Sequence, residues 1–485
     1  MTVYTRADLH SMSFKQKVFK GGFYLASVNI FSQFLSIGVS VVLARLLMPK
    51  DFGLVALSAT YIGLISVFTN IGFGSSVIYY QEASYKQIST IYWINFLLSA
   101  FTFLIIAATA PFSAFFYGEE ELTRIVWVSS LNILITPIFI IHYKIKERDL
   151  AFGLLSRITV ISTTVGAAAA IASAFAGFGV YALVLQSLMT TVMRLILTLS
   201  VSPWKPSWVF DYKSVKPMIW YSLKSKVGHS VLYFERNIDY LILGKFFASV
   251  ILGYYSFAYN IMYTPVKRIS YIFSNVLFPS FSSIKNKPHK IIDGYFKATQ
   301  LIAIVSFPAM TILAFNARPI IHFVFGDKWN EAIPIVEVLC FAGAIQSISQ
   351  WGGVIFSSIG KPEINTYFGL LRTGLTAAAI VVGSFYGILT VAWLLLTSKV
   401  ISYLILLAVI RSQINFHFVH LLSYLKGPIF TIFVLSAIQL ILLNAELYQD
   451  ALKIISMILT TMLMTGIFHW NTIKEMFRMF KLKGG

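Results

Sequence analysis

Apolar residues in this chain come in runs of about twenty, the length a helix needs to cross a hydrocarbon layer. On that template the pattern predicts about fourteen spans, centred near Leu35, Ile65, Leu98, Leu134, Thr163, Leu188, Tyr233, Met262, Ile304, Phe341, Thr376, Leu396, Ser436 and Ile458. The spans near Tyr233 and Met262 are the most polar. The first of these two, Trp220 to Phe246, reads WYSLKSKVGHSVLYFERNIDYLILGKF, with His229, Glu235, Arg236 and Asp239 in its middle. A charge at the centre of a bilayer helix costs about 2.5–3.5 kcal/mol, so one face of this helix must meet protein or water. His229, Arg236 and Asp239 fall on one side, with Leu232 and Tyr233 near the same stripe. That face is expected to wall a cavity through which a polar substrate crosses the membrane. The first span carries a neutral counterpart, Asn29, Gln33, Ser36 and Ser40, at helical spacing.

The loops orient the spans. With the N-terminus inside, about 28 of the 38 Lys and Arg fall in inside loops. They include Lys15, Lys17 and Lys20; Lys144, Lys146, Arg148 and Arg157; Lys205, Lys213 and Lys216; and Lys285, Lys287 and Lys290. Both termini are therefore expected in the cytoplasm, which requires an even number of spans. Outer loops are short, and the acidic run Glu119 to Glu121 reads as a solvated turn. Ser11 to Lys20 is basic and amphipathic, lying on the cytoplasmic surface or forming a solvated tail. The stretch Ser202 to Lys216, rich in Pro, Trp and Lys, reads as an interfacial linker between two halves.

Composition agrees. Of 485 residues, 57% are hydrophobic and 12% charged, against about 25% charged in a soluble domain. The net charge of +19 is a topology signal here, not a nucleic-acid footprint. The single cysteine, Cys340, allows no internal disulfide and no cysteine metal cluster. The N-terminal residues predict no cleavable signal peptide. No P-loop, HExxH or GxSxG motif is present, so no enzyme is expected.

The two sides of the linker are alike. ARLLMPKDFG from Ala44 matches GKFFASVILG from Gly244, pairing Arg45 with Lys245 and Gly53 with Gly253. YGEEE from Tyr117 matches FGDKW from Phe325, and GFGVYALV from Gly177 matches FYGILTVA from Phe385. Three matches in the same order predict a duplication, with copies related by an axis along the membrane normal. The organisation expected is residues 1–20 at the cytoplasmic surface, a first lobe at 21–201, the linker at 202–216, a second lobe at 217–411, a helix pair at 412–473 and a basic cytoplasmic tail at 474–485.

Candidate binding groups follow from this layout. Arg236 and Asp239 are spaced to pair within one helix or to contact substrate or a coupling ion, and Glu235 points about 100° away from Arg236. His229 is either a titrating group or a hydrogen-bonded filler. The eighth span adds Asn260, then Lys267 and Arg268 after Pro265. With Lys224 and Lys226 these form a basic vestibule for an anionic headgroup, or snorkel to the inner headgroup layer. A glycan would lie along Asn29, Gln33 and Asn260. The readings left open are a lipid-linked glycan flippase, a cation-coupled small-molecule antiporter, and an enzyme of the same lipid, which would need a large outer loop.

The opening KGGFYLASVNIFSQFLSIGVSVVLARLLMPKDFGLVAL, the seventh-span RNIDYLILGKFF and VLFPSFSSI (Val276 to Ile284) resemble the polysaccharide-transport branch of the multidrug/oligosaccharidyl-lipid/polysaccharide flippase superfamily, above all its Wzx-type exporters. Arg45 followed by Pro49, Asp51, Phe52 and Gly53 fits the branch's turn, and Ala248 and Ser249 depart from it in the second half. The resemblance implies an all-α, MATE-like fold of fourteen membrane helices in two six-helix lobes plus a final pair. It implies transfer of an undecaprenyl-pyrophosphate-linked oligosaccharide between leaflets of the bacterial inner membrane, by alternating access, with Arg236 at the pyrophosphate. Membrane lipids and a polysaccharide polymerase or export complex are the implied partners. No cofactor is expected beyond coupling to H⁺ or Na⁺.

Overall fold

The computed structural model describes residues 14–69, 71–282, 288–444 and 455–466. Each expected span centre falls in one of its helices. In the first half these are α1 (Phe14–Leu46), α2 (Pro49–Thr69), the short α3 (Gly74–Tyr79), α4 (Tyr85–Tyr117), α5 (Glu121–Arg148), α6 (Phe152–Phe175), α7 (Val180–Ser200) and α8 (Tyr212–Phe246). There follow α9 (Ser249–Ser282), α10 (Pro288–Phe315), α11 (Ala317–Phe325), a 3₁₀ turn at Asp327–Ala332, α12 (Ile333–Ser349), α13 (Gly352–Ser358), α14 (Pro362–Ser384), α15 (Ile388–Gln413), α16 (Phe418–Asn444) and α17 (Ile455–Gly466). Among the described residues, ten helices are long and apolar enough to cross a membrane. The protein is an all-helical, multi-pass membrane protein. Lipid offers backbone groups no partners, so helices that satisfy their own are the economical way across.

The chain forms two compact units, one ending at Gly253 and one beginning at Tyr254. In the first, α1 packs on α6, α6 on α7, and α4 on α5, while α8 packs on α2, α3 and α4. A buried cluster of Phe73, Val77, Ile88, Ile91, Tyr92, Ile141, Val215 and Met218 joins α3, α4, α5 and the start of α8. In the second, α10 packs on α12 and α16, and α15 on α12 and α14.

The repeat is visible in the secondary structure. α1 ends at Leu46 and α2 opens at Pro49, while α8 ends at Phe246 and α9 opens at Ser249, the same turn at the offset of the first sequence match. Gly118 and Gly326 both cap a helix C-terminus with φ near +72° and +90°, positive values that glycine adopts without strain. The two copies of the α1–α2 turn also meet. A Cβ on Gly53 would lie 1.8 Å from the Ser249 carbonyl oxygen, and one on Gly253 would lie 1.9 Å from the Pro49 carbonyl oxygen. Each glycine admits the other copy's backbone, so the contact is reciprocal.

The helix caps at this crossing differ. In the first copy, Asp51 Oδ2 accepts the Met48 N–H at 2.8 Å, the N3-to-N-cap half of a capping box. The matching position in the second copy is Ile251. There the cap comes from elsewhere: Glu119 Oε1 accepts the Ser249 N–H at 3.0 Å. Two residues on, Glu121 Oε1 pairs with Lys50 Nζ at 3.1 Å, and Lys245 Nζ donates to the Phe116 carbonyl at 3.0 Å. The acidic run is thus more than the solvated turn expected. Glu119→Ala removes a carboxylate from a helix N-terminus and should lower stability by about 1 kcal/mol, while Glu120→Ala, at an exposed position, should stay within about 0.5 kcal/mol. Unfolding of the purified variants in detergent checks the pair.

The linker is a fitted strap. Residues 202–211 lie along the first turns of α4, where the Trp93 Nε1–H donates to the Ser207 carbonyl at 2.9 Å and Thr90 Oγ1 donates to the Val209 carbonyl at 3.1 Å. Tyr85 OH donates to the Lys205 carbonyl. Trp93 and Trp208 stack with centroids 4.0 Å apart. Buried His142 bonds Ser202 Oγ through Nδ1 at 2.9 Å. Asp211 Oδ1 accepts the Ser214 N–H at 3.2 Å and starts α8.

Candidate functional site

α8 is the helix that breaks the apolar rule, and its 35 residues rise about 52 Å, well beyond a hydrocarbon layer of about 30 Å. Its lower half lines a cavity of about 550 Å³. Ser222, Ser225, Lys226, Ser230 and Tyr233 line it from α8, Gly63 and Ser66 from α2, Gly74 and Ser75 from α3, and Lys144 from α5. The α8 residues recur at helical spacing and so share a face.

The cavity is held from both sides. Tyr233 OH donates to the Thr60 carbonyl at 2.5 Å, and its ring lies so close to Gly63 that a Cβ there would come within 2.6 Å of it. The Lys144 stem lies along Gly74, and its Nζ pairs with Glu147 Oε2 at 2.6 Å. The hydroxyls of Ser66, Ser75, Ser222 and Ser230 each donate to a carbonyl three or four residues back. They therefore present lone pairs to the cavity, and the two ammonium groups are its strong donors.

Farther along α8, Asp239 is 5% exposed and its Oδ1 accepts the Tyr240 N–H at 3.0 Å. Glu235 is half-buried and Arg236 exposed. Three residues of helix separate Arg236 from Asp239 by about 60° around the axis, enough for one to turn inward while the other faces out. On α1, Gln33 is half-buried. On α9, Asn260 is exposed and its Nδ2–H donates to the Ser256 carbonyl at 2.9 Å; Lys267 is exposed. The side chains of Asn29, His229 and Arg268 lie outside the described residues.

The structure brings Lys226 together with Lys144, a residue the sequence offered only as a topology anchor. Lys224 is exposed. The serines were missed too. The signal available was their register with Lys226 and Tyr233 on α8 and the small residues Gly63 and Ser66 one turn apart on α2, a sign that α2 admits another helix closely.

Residues 42–334 match the family described as polysaccharide biosynthesis protein. The chain is 30% identical over 345 residues to the teichuronic acid biosynthesis protein TuaB of Bacillus subtilis, covering 70% of this chain and 71% of that one. It is 24% identical to the lipopolysaccharide biosynthesis protein WzxC of Escherichia coli, covering 77% and 76%. Among solved structures, the lipid II flippase MurJ in an inward closed conformation superposes with a TM-score of 0.73 at 15% identity, covering 92% of this chain and 99% of that one. Its likeness is one of fold. The sequence match spans more than half the chain, and on it this protein belongs to the polysaccharide biosynthesis protein family.

Proposed function

We propose that this protein is a flippase that moves a lipid-linked oligosaccharide, an undecaprenyl-pyrophosphate glycan, from the cytoplasmic to the outer leaflet of the bacterial inner membrane. Family membership supports the reading, and one observation about α8 carries it. A membrane helix keeps an exposed arginine, Arg236, about 15 Å of rise before its outer end at Phe246. A cation at that depth is costly unless it meets water or a partner, and the pyrophosphate of a cargo is such a partner. The glycan travels in the polar space and the polyprenyl tail stays in lipid. Alternating access between two pseudo-symmetric lobes carries the headgroup across, with both termini in the cytoplasm and an export complex receiving the product. Directionality requires tighter binding in the outward state or coupling to H⁺ or Na⁺.

Flipping of a radiolabelled undecaprenyl-pyrophosphate oligosaccharide in proteoliposomes, with and without imposed ion gradients, tests this. Arg236→Ala should slow flipping about tenfold or more at equal folded protein, since charge-assisted bonds contribute about 1.5–3 kcal/mol. A parent that flips no glycan under any gradient and exports small cations would replace the flippase with an antiporter.

A further inference from the structure

Lys226 is a partly buried ammonium with no carboxylate at ion-pair distance among the described residues. Its neighbour in the cavity, Lys144, is neutralised by Glu147. Taking an ammonium partly out of water without a counter-charge disfavours the folded state. Among the described residues the cavity lining holds no carboxylate: its serines offer dipoles, and Gly63, Val67, Ile71 and Ile140 are apolar. An ammonium so placed either reaches the headgroup layer along its stem or binds an anion in the cavity.

Its depth selects the anion. Twenty residues of α8, about 30 Å of rise, separate Lys226 from Phe246, which is one hydrocarbon thickness. If Phe246 marks one boundary of the hydrocarbon layer, Lys226 marks the other. The cavity therefore lies at the level of lipid phosphates, at the end of the protein where Lys144, Lys146, Arg148, Lys205, Lys213 and Lys216 gather. Arg236 sits ten residues farther along the same helix, about 15 Å nearer mid-layer.

We propose that the Lys226 cavity is a phosphate-binding station for a lipid headgroup, a site distinct from Arg236 and occupied before the headgroup enters the layer. Lys226 donates to the phosphate oxygens as a point charge. Lys144 supplies a second donor from across the cavity, and its bond to Glu147 limits the charge it offers. The serine lone pairs accept hydroxyl donors of whatever the phosphate carries. This rests on the flippase reading for the identity of the ligand, but not for the existence of the site.

The test uses the full chain in lipid nanodiscs, with farnesyl pyrophosphate as probe and inorganic pyrophosphate as competitor, read by calorimetry. Lys226→Gln should weaken probe binding about tenfold or more, and Lys226→Arg should keep it within about threefold. The same Lys226→Gln variant should melt at or above the parent temperature, because it removes an uncompensated charge. A structural lysine would show the opposite, a lower melting temperature with unchanged binding, and that result overturns the proposal. Equal binding by parent and Lys226→Gln also overturns it. Nanodiscs free of and rich in phosphatidylglycerol separate the sources. Displacement of the probe by phosphatidylglycerol, dependent on Lys226, assigns the station to bilayer phosphate, and binding indifferent to it assigns the station to the cargo pyrophosphate. A parent that flips glycan while Lys226→Gln binds normally leaves the function standing and removes the site. A parent that flips nothing yet binds the probe through Lys226 does the reverse.

Discussion

Gly53→Ala is expected to leave little folded protein. The new methyl group would stand 1.8 Å from the Ser249 carbonyl oxygen and 3.0 Å from the Gly253 nitrogen. Both obstacles are backbone, so no side chain can rotate away, and the first turns of α2 and α9 must separate. Overpacking of a tight contact costs about 1–3 kcal/mol and sometimes more, and this site belongs at the upper end. Gly253→Ala should behave the same way against the Pro49 carbonyl. Because the contact is reciprocal, the double variant should cost less than the sum of the two, the first methyl having already pushed the helices apart. Gly38→Ala is the control. It lies in α1 with nothing within 4 Å of a new Cβ, and alanine in a helix gains up to about 1 kcal/mol over glycine. Folded yield and thermal unfolding in detergent separate the four variants.

Trp329→Ala should be the most damaging change in the second unit. Trp329 is fully buried in the 3₁₀ turn after α11. It stacks on Phe257 with centroids 4.0 Å apart and meets Tyr254 edge-on at 6.3 Å. Phe257 in turn packs edge-on against Phe325 at 4.8 Å. Removing the indole empties the centre of that aromatic group and should cost about 3–5 kcal/mol. Trp329→Phe keeps a ring on Phe257 and should recover much of the loss. A melting series of parent, Phe and Ala variants reads the ladder, and a small loss for Trp329→Ala would show that the turn can collapse into the space.

Membrane helices and the two matching helix–turn–helix boundaries were legible because both write themselves locally: an apolar run of a given length, a glycine at a given offset. The polarity of α8 was legible for the same reason. Its partners were not. Spacing places Ser222, Ser225, Lys226 and Tyr233 on one face, but nothing in that spacing tells which helix the face meets, and so Lys144 on α5 was lost among the loop cations. Glu119 and Ser249, 130 positions apart, form a cap that no local pattern encodes. The short α3, six residues long, is below the length any span template detects, yet it lines the cavity. The strap at 202–211 has the composition of a linker, and its bonds to Tyr85, Ser89, Thr90, Trp93 and His142 tie it to the first unit. Asp239 shares a stripe with Arg236 by arithmetic and is buried where Arg236 is exposed, because about 60° of arc is the difference between facing in and facing out.

The borrowed cap at α9 makes the two matching turns unequal. At the first, the carboxylate is the helix's own, Asp51 on Met48; at the second, position 251 is Ile251 and the carboxylate on Ser249 comes from Glu119. The two halves are therefore not exchangeable. A dimer of two first halves would still cap its helices through Asp51, whereas the second half, expressed alone, would lack a carboxylate at the start of α9.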